Sequence, residues 1–341
     1  MNYDTVAVLI PAYKPDRRLN ELTDALIERG FSHIFVIDDG CGVAYADIFD
    51  DLRGKATVLT HEVNRGKGAG LKTGIREIMK TPGMGVVTAD ADGQHAPDDI
   101  AKVADALLAQ PDALILGARD KKAMPLRSKV GNTLTCALFG LLTGLWLTDT
   151  QTGLRGLPAS ALETFSALEG DRYEYEINML IKANVMKLSV HEVTIETIYL
   201  DNNASSHFHG LKDGLKIYRL MFRQAGRFCA SSLLSALIDY LGFIVCSYAV
   251  RLDAVPSQII GRVISSLFNY TLNSRVVFGK KANIKSFLKY YALALCILIC
   301  SCVGIKLLTL IHLPRLLAKI IVDVLLYIVS YRVQRGKIFN K

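Results

Sequence analysis

The sequence contains no arrangement of cysteines that indicates a zinc site or a disulfide framework. It has seven cysteines in 341 residues, and Cys41 and Cys136 stand apart from the rest. The other five lie in or beside apolar segments, where cysteine behaves as a small hydrophobic residue. Cys300 and Cys302 are two positions apart, so on a helix they do not face each other. We interpret all seven as structural.

The start of the chain has no stretch that resembles a signal peptide. Met1 to Asp4 leads directly into a strand-like run, so we expect the N-terminal part to stay in the cytoplasm. The net charge of +8 is typical of proteins that bind nucleic acid or a membrane surface. No basic groove interleaved with aromatic residues is present, whereas Lys and Arg concentrate beside apolar segments. This placement favours a membrane and no nucleic acid.

The glycine-rich segment 66–70 lacks the pattern of a Walker loop, in which Gly-Lys-Ser/Thr follows a four-residue spacer. Glycines that open a helix can still present backbone N–H groups to an anion. The alternative is a tight start of a helix beside the sheet. In either case Lys67 is a candidate contact for a phosphate or for the turn.

The composition of the chain changes near Arg223. Before it, strand-like and helix-like segments alternate; beyond it, long apolar runs dominate. We predict a cytoplasmic α/β domain over 1–210, an interfacial amphipathic helix over 211–227 and a membrane domain over 228–341. Leu211 and Leu215 share one face of the middle segment, with Lys212 and Lys216 beside them. A packed surface helix has the same pattern and is the alternative.

Short apolar runs in the first half predict strands, and the segments between them predict helices. The strands are expected over 5–10, 33–37, 55–60, 86–88 and 113–117, and helices over 18–29, 66–80, 98–109 and 173–186. An apolar run over 134–147 predicts a core or interfacial helix, and 190–198 predicts an edge or antiparallel strand. This alternation indicates an α/β fold with a mostly parallel sheet and helices on both faces.

Two carboxylates follow the strand that begins at Val86. Asp90 and Asp92 lie where that strand opens into a loop, and alternate residues of an extended segment point the same way. Two such oxygen donors suit Mg²⁺ or Mn²⁺, which usually also take phosphate oxygens of a substrate. Gln94 continues the same period and adds a third oxygen. A solvated loop or a helix cap is the alternative.

Further polar side chains also come at or just past the ends of strands, and a parallel sheet gathers those ends on one edge. Tyr13, Asp38, Asp39 and Arg119 are of this kind. Asp39 could accept a hydrogen bond from a ribose or a base. Alternatively, Asp38-Asp39-Gly40 is only a turn. Both interpretations stay open.

The apolar half predicts four membrane-spanning helices, over 228–250, 256–278, 287–311 and 316–331. Lys and Arg are concentrated between the second and third spans and after the fourth, which predicts that both termini are cytoplasmic. Polar residues inside the spans predict contacts between helices or a path for a lipid headgroup. These residues are Asp239, Arg262, Asn269, Asn273 and Asp323.

Five motifs occur in a fixed order along the first half of the chain. They are Ile10-Pro11-Ala12-Tyr13, Asp38-Asp39-Gly40, Asn64-Arg65-Gly66-Lys67-Gly68, Asp90-Ala91-Asp92-Gly93-Gln94-His95 and Asp149-Thr150-Gln151-Thr152-Gly153-Leu154-Arg155. This set resembles the family 2 glycosyltransferases of the dolichol-phosphate mannosyltransferase and undecaprenyl-phosphate glycosyltransferase type. The C-terminal spans, with similar endings at 269–278 and 330–339, resemble a GtrA-like membrane domain.

The resemblance implies a GT-A fold and a set of site residues. The residues that contact the nucleotide sugar would be Pro11, Ala12, Tyr13, Asp38, Asp39, Asn64, Gly66, Lys67, Asp90 and Ala91. The metal ligands would be Asp90, Asp92 and Gln94. The catalytic or anion-binding groups would be Asp92, Arg119, Arg127, Asp149, Gln151 and Arg155. The family often has an acidic residue directly after the Pro-x-Tyr, where this chain has Lys14.

The function implied by the resemblance is metal-dependent, inverting transfer of a sugar from a GDP-, UDP- or dTDP-linked donor to a polyprenyl phosphate, with Mg²⁺ or Mn²⁺ as cofactor. The nucleophile would be an ionised phosphate oxygen, so a strong general base is not needed. The protein would be a multi-pass membrane protein, and a homo-oligomer through the membrane helices is an expectation from the family. The alternatives are that the membrane half moves the lipid-linked sugar across the bilayer, or that the acceptor is a polysaccharide.

Overall fold

The computed structural model describes residues 3–120, 124, 126–196, 226, 228, 230–242, 244–277, 283–310, 313 and 315–339. The chain divides into two units, Met1–Leu220 and Met221–Lys341. The amphipathic helix predicted over 211–227 lies outside the described residues, apart from Gly226. That prediction and the boundary at residue 210 therefore stay predictions.

The first unit is an α/β domain built on one seven-stranded sheet. Its strands are β1 (Val6–Ala12), β2 (Ile34–Asp38), β3 (Thr57–Thr60), β4 (Gly85–Thr88), β5 (Ala113–Arg119), β6 (Arg155–Leu157) and β7 (Ser189–Ile195). Its helices are α1 (Arg18–Glu28), α2 (Ala46–Asp50), α3 (Lys67–Ile78), α4 (Pro97–Ala109), α5 (Leu126–Thr143), α6 (Leu162–Ser166) and α7 (Glu174–Met186).

The strand order is β3-β2-β1-β4-β6-β5-β7. β6 is antiparallel to both of its neighbours, whereas the other pairs are parallel. The mostly parallel sheet is thereby confirmed, with one antiparallel strand inside it. β6 was not predicted, because three residues are too few to show a periodicity. β7 is an edge strand, as expected, but it runs parallel to β5.

Helices cover both faces of the sheet. Alternate residues of β1 point in opposite directions, and its apolar residues contact helices on each side. Val8 and Ile10 share one buried cluster with Leu22 of α1 and Ile100 of α4. Leu9 points the other way, toward α3, which lies so close that a Cβ on residue 74 of that helix would overlap its side chain. The carboxyl edge of the sheet is therefore built on a core that is closed on both sides.

α5 begins eight residues before the apolar run that predicted it and ends at Thr143. It stops because Gly144 adopts a left-handed φ of +83°, the conformation that commonly ends a helix at glycine. Phe139 is fully buried, whereas Val130 and Leu134 are exposed. One helix therefore combines a core face with an exposed apolar face.

The second unit is helical throughout most of its described residues. It contains α8 (Ala230–Ala249), α9 (Ala254–Leu272), α10 (Ile284–Leu310) and α11 (Arg315–Val333), which coincide with the predicted spans. Among the described residues, Ala230–Ala249 is long and apolar enough to cross a membrane by length and composition. The prediction of four spans therefore rests on the sequence pattern.

Buried polar side chains join the helices of the second unit. Asn273 is fully buried; its amide nitrogen donates to Asn269 at 2.7 Å and to Gln334 at 3.2 Å, and its oxygen accepts from Ser231. Asp239 accepts a hydrogen bond from Ser265 at 3.4 Å. The bonds of Asn273 with Ser231 and Gln334 and that of Asp239 with Ser265 are the interhelical contacts expected of polar residues among apolar helices, whereas the bond with Asn269 lies within one helical segment. The side chains of the predicted polar residues Arg262 and Asp323 lie outside the described set.

Candidate active site

The site residues gather at the carboxyl edge of the sheet because β1, β2, β4 and β5 all run in the same direction. Ala12 at the end of β1 pairs with Asp38 at the end of β2. On the other side of β1, the backbone N–H of Ala89, just past β4, donates to Leu9 at 3.0 Å. The loops after these strands therefore begin from one edge, as the sequence predicted for ligand binding in such a fold.

Asp90 lies in an ion-pair cluster with Lys67 and Glu176. The ammonium nitrogen of Lys67 is 2.6 Å from Asp90 Oδ1 and 2.9 Å from Glu176 Oε1. Burial disfavours the charge of Asp90, but the charge and hydrogen bond of Lys67, together with the charges of other neighbours such as Arg119, outweigh burial and lower the pKa of this carboxyl. Burial likewise disfavours the ammonium, yet Asp90 and Glu176 raise the pKa of Lys67 above its usual value. The shifts of Asp90 and Lys67 both favour a charged carboxylate–ammonium pair.

Asp92 lies in the turn that follows Asp90. Its Oδ1 accepts a hydrogen bond from the backbone N–H of Gln94 at 3.0 Å, and its backbone oxygen accepts one from Arg18 at 3.2 Å. Gly93 between them has a φ of +77°, which closes the turn. Burial and the neighbouring charge of Asp90 raise the pKa of the Asp92 carboxyl. A positive charge nearby would offset this repulsion.

His95 completes the same turn as a hydrogen-bond acceptor. Its Nδ1 accepts from the backbone N–H of Asp90 at 3.1 Å, so this nitrogen carries no proton. The ring is buried, and burial lowers the pKa of His95 below its usual value. The neutral ring thereby holds the backbone of Asp90 in place.

The donors around Asp90 fit a Mg²⁺ or Mn²⁺ ion held jointly with a substrate. Such ions need one or two carboxylates and take their remaining ligands from water and phosphate. No group of three His, Cys, Asp or Glu side chains suited to a metal occurs within the described part of the chain. Only glycine fits beside this carboxylate at position 153: a Cβ there would come within 2.5 Å of Asp90 Oδ2 and 2.7 Å of Lys67 Nζ.

Arg119 is held at the edge by Asp149. The guanidinium donates to the carboxylate at 2.6 Å from Nε and at 3.0 Å from a terminal nitrogen. Asp149 also accepts from the backbone N–H of Gln151 at 2.9 Å. Burial disfavours the Asp149 charge, but the hydrogen bonds and charge of Arg119 lower its pKa. Three of the predicted catalytic residues thus form one hydrogen-bonded group.

Arg155 requires a correction, because the structure gives it a structural position. Its side chain is 1% exposed, and its guanidinium donates to the backbone oxygens of Thr152 at 3.0 Å, Glu176 at 2.6 Å and Thr150 at 3.4 Å. These bonds direct the donors at the protein's own carbonyl groups. Arg155 therefore links β6 to α7 and does not present its charge to a substrate.

Asp39 also requires a correction. It is 2% exposed and accepts hydrogen bonds from the backbone N–H groups of Arg65 at 2.9 Å and Gly66 at 2.7 Å, and from His61 at 2.8 Å. These donors occupy the carboxylate that was expected to meet a ribose or a base. The structure favours the alternative of a structural turn, in which Asp39 fixes the loop leading into α3.

The neighbouring predicted nucleotide contacts lie on the same edge. Asp38 accepts from the backbone N–H of Cys41 at 2.9 Å. Tyr13 is half-buried, and the ammonium of Lys14 lies 5.3 Å from its ring centre. The other contacts are Pro11 and Ala12 at the end of β1, Asn64 in the loop before α3, and Ala91 between the two carboxylates. Arg127 lies in the first turn of α5, and its side chain is outside the described set.

Sequence reasoning did not find Glu176 or His61. Glu176 lies within the helix predicted over 173–186, and no spacing in the sequence connects it to Lys67, which is more than 100 positions away. His61 accompanies Asp39 and also contacts the hydroxyl of Thr73 at 3.0 Å. Both residues are brought to the site by strand order, which no local pattern records.

Two family models match the chain. "Glycosyl transferase family 2" matches residues 7–162, and "GtrA/DPMS, transmembrane domain" matches residues 227–339. The chain is 33% identical over 244 residues to a UDP-N-acetylglucosamine–dolichyl-phosphate N-acetylglucosaminyltransferase of Methanococcus voltae; the match covers 65% of this chain and 97% of that relative. It is 29% identical over 178 residues to the polyprenol monophosphomannose synthase of Mycolicibacterium smegmatis, covering 48% and 65%.

Among solved structures, glucosyl-3-phosphoglycerate synthase of Mycobacterium tuberculosis in complex with Mn²⁺ and UDP-glucose matches with a TM-score of 0.49 and 18% identity. That match covers 64% of this chain and 78% of the other. The fold, the edge of polar residues and the family matches together define an enzyme of glycosyl transfer. The chain belongs to glycosyl transferase family 2 and carries a C-terminal GtrA/DPMS transmembrane domain.

Proposed function

We propose that this protein transfers a sugar from a nucleotide sugar to the phosphate of a polyprenol-type lipid at the cytoplasmic face of a membrane. The observation that carries the proposal is the pair Asp90 and Asp92 beside the Arg119–Asp149 pair, on one edge of a family 2 domain that precedes a GtrA/DPMS domain. Carboxylates for a cation and an arginine for an anion are the groups that a diphosphate donor and a phosphate acceptor require.

The relatives support the substrate classes. The names of the Methanococcus voltae and Mycolicibacterium smegmatis proteins state a dolichyl phosphate or a polyprenol as the carrier, and the first name also states a UDP-sugar. We propose a UDP-sugar and a polyprenyl phosphate for this chain. The GDP- and dTDP-linked donors and the homo-oligomer expected from the resemblance have no support from these relatives.

The reaction forms a bond between a phosphate oxygen of the lipid and the anomeric carbon of the sugar, and it breaks the bond from that carbon to the diphosphate. The nucleoside diphosphate leaves with the electron pair. The attacking oxygen is ionised at neutral pH, so the enzyme does not have to remove a proton. In-line attack inverts the configuration at the anomeric carbon.

The side chains at this edge of the sheet then stabilise the negative charge of the substrates and position them. Arg119, held by the carboxylate of Asp149 and partly open to solvent, stabilises phosphate oxygens. The glycine-rich start of α3 presents Lys67 to the same place. Asp90, Asp92 and Gln94 would hold a Mg²⁺ or Mn²⁺ ion, which as a Lewis acid stabilises a leaving diphosphate. We infer that attraction to these charges brings two anionic substrates close together.

The location follows from the C-terminal half. The GtrA/DPMS match covers 227–339, and the Lys- and Arg-rich loops favour cytoplasmic termini and four spans. The proposed interfacial helix over 211–227 would keep the catalytic edge near the headgroups. No transport function is proposed: Asn273, the fully buried amide of this half, is hydrogen-bonded to Asn269, Gln334 and Ser231, which supports a role in helix contacts.

The test is a donor panel on the purified full-length protein, with polyprenyl phosphate and either Mg²⁺ or Mn²⁺. We expect a lipid-linked sugar from a UDP-sugar and loss of the product with EDTA. Asp92→Ala should lower the rate at least about 100-fold, whereas Asp98→Asn, which alters an exposed carboxylate paired with Arg29, should leave it unchanged. Full activity of Asp92→Ala would refute the metal assignment, and no product from any donor would refute the proposed reaction.

A further inference from the structure

One ammonium group is shared between two carboxylates at the centre of the site. Lys67 Nζ is within ion-pair distance of both Asp90 Oδ1, at 2.6 Å, and Glu176 Oε1, at 2.9 Å. The three side chains are 17%, 29% and 8% exposed, in the order Lys67, Asp90 and Glu176. Water therefore screens their interaction only in part, and each charge affects the other two strongly.

Asp90 is also the carboxylate for which the proposed function requires a divalent cation. Its Oδ1 is already in contact with Lys67, and both of its oxygens lie next to Gly153. An ammonium and a dication on one carboxylate repel each other strongly at such distances. A metal therefore competes with Lys67 for Asp90 unless the ammonium has another place to go.

The second carboxylate provides that place. We propose that Lys67 is a resident counter-cation of Asp90 that shifts to Glu176 when a divalent metal binds, so that Glu176 is a positioning residue for metal exchange. This inference rests on the proposed metal site at Asp90. In the metal-free protein Lys67 offsets the charge of Asp90, and in the metal-bound protein the same ammonium stays nearby, paired with Glu176.

The backbone around Lys67 is suited to a movement of the side chain alone. Gly66 and Gly68 lie so close to α7 and the loop before it that a Cβ on either would come within 2.5 Å of the Asp171 backbone oxygen or 2.6 Å of Tyr175 Cβ. The backbone N–H of Ala69 also donates to that same Asp171 oxygen at 3.0 Å. α3 is thereby fixed against the segment that carries Glu176. The four-carbon side chain of lysine has the rotational freedom needed to change partners.

The test is the affinity of the full-length protein for Mn²⁺ alone, measured by electron paramagnetic resonance of free Mn²⁺, without donor or acceptor. Glu176→Gln preserves shape but leaves the ammonium with Asp90 as its only carboxylate. We expect this variant to bind Mn²⁺ at least about fivefold more weakly. Lys67→Met removes the competitor, and we expect it to bind Mn²⁺ at least about fivefold more tightly.

The double variant Lys67→Met/Glu176→Gln is the decisive comparison. Without the ammonium, Glu176 has nothing to attract, so the second substitution should no longer weaken Mn²⁺ binding. Lys72→Met is the matched control, because Lys72 lies on the same helix but pairs with Asp171, at 2.6 Å. It should bind Mn²⁺ like the unaltered protein. Thermal melts of each variant verify that the fold is retained.

The inference is overturned if Glu176→Gln binds Mn²⁺ as the unaltered protein does, or if it weakens binding equally with and without Lys67. If either of these results is found while Asp90→Asn abolishes Mn²⁺ binding, the metal site of the proposed function still stands. If the protein does not bind Mn²⁺, or binds it equally well after Asp90→Asn, both this inference and the metal assignment are overturned. The sugar-transfer assay on the donor panel tests the reaction separately.

Discussion

Asp149 is fully buried and accepts two hydrogen bonds from the guanidinium of Arg119, at 2.6 Å and 3.0 Å. The pair connects the end of β5 to the loop before β6. Arg119 Nε and one terminal nitrogen are thereby oriented by a partner that solvent does not reach. The orientation of the arginine consequently depends on one residue located 30 positions later in the chain.

Asp149→Asn should destabilise the first unit and lower activity together. The amide keeps the shape but removes the charge that holds Arg119, and loss of a buried charged partner costs about 2–3 kcal/mol. We expect a lower melting temperature and a fall in kcat. The matched control is Asp51→Asn, whose partnership with Arg17 is exposed and should change neither quantity. An unaltered melting temperature of Asp149→Asn would contradict the role assigned to the pair.

The same pair predicts a pH dependence of stability. Burial opposes the charge of Asp149, but Arg119 outweighs it and the pKa is lowered. A carboxyl with a lowered folded pKa stabilises the protein above its unfolded pKa of about 3.9, and this contribution is lost as pH falls through the folded pKa. The difference in melting temperature between the unaltered protein and Asp149→Asn should be constant from pH 5 to 8 and shrink below about pH 4. A difference that disappears near neutral pH would oppose this assignment.

Arg155→Lys should lower stability without a selective effect on substrate binding. A lysine cannot reproduce the three hydrogen bonds that the planar guanidinium makes with backbone oxygens, and buried carbonyl groups left without a partner cost about 1–3 kcal/mol. Melting temperature and KM for the donor are the measurements. Arg76→Lys is a milder control, because Arg76 donates to the single carbonyl of Ser166 at 3.0 Å. A raised KM with an unchanged melting temperature would restore the substrate role that the sequence predicted for Arg155.

Gly153→Ala should impair the site directly. The added methyl group would lie within 2.5 Å of Asp90 Oδ2 and 2.7 Å of Lys67 Nζ, so it would displace both groups from their present positions. We expect a loss of activity of at least about tenfold, because small displacements of reacting groups have large effects on rate. Gly131→Ala in α5 is the control, since nothing lies within 4 Å of its Cβ position. Unchanged activity of Gly153→Ala would show that the space beside Asp90 is not used.

Much of the fold could be predicted because its signals are local. Buried runs such as that of β1 and amphipathic segments such as α1 and α4 are recognisable from periodicity alone. The sheet's mixed character was not predictable, since β6 has three residues and its pairing partners lie far away in sequence. The amphipathic helix over 211–227 stays a prediction from its pattern of Leu and Lys.

The sequence predicted which residues lie at the candidate site better than it predicted what those residues contact. Asp90, Asp92 and Arg119 could be found because each follows a strand, and parallel strands gather their ends. The same rule placed Asp39 among the ligand contacts, and the family resemblance placed Arg155 there, but hydrogen bonds from backbone N–H groups or to backbone carbonyls occupy both side chains. A sequence shows that a charged residue is near a site; whether its charge faces the ligand depends on partners brought in by folding.

The sequence by itself determined the α/β character of the first half, the apolar character of the second and the loop of Asp90 and Asp92, because these depend on residues close together along the chain. Only the tertiary structure decided that Lys67 lies between Asp90 and Glu176 and that Asp149 orients Arg119. Those contacts join segments 23 to more than 100 positions apart, and strand order brings them together. Asp90 thus acquires its ammonium partner from the glycine-rich start of α3, and that ammonium acquires its second partner from α7.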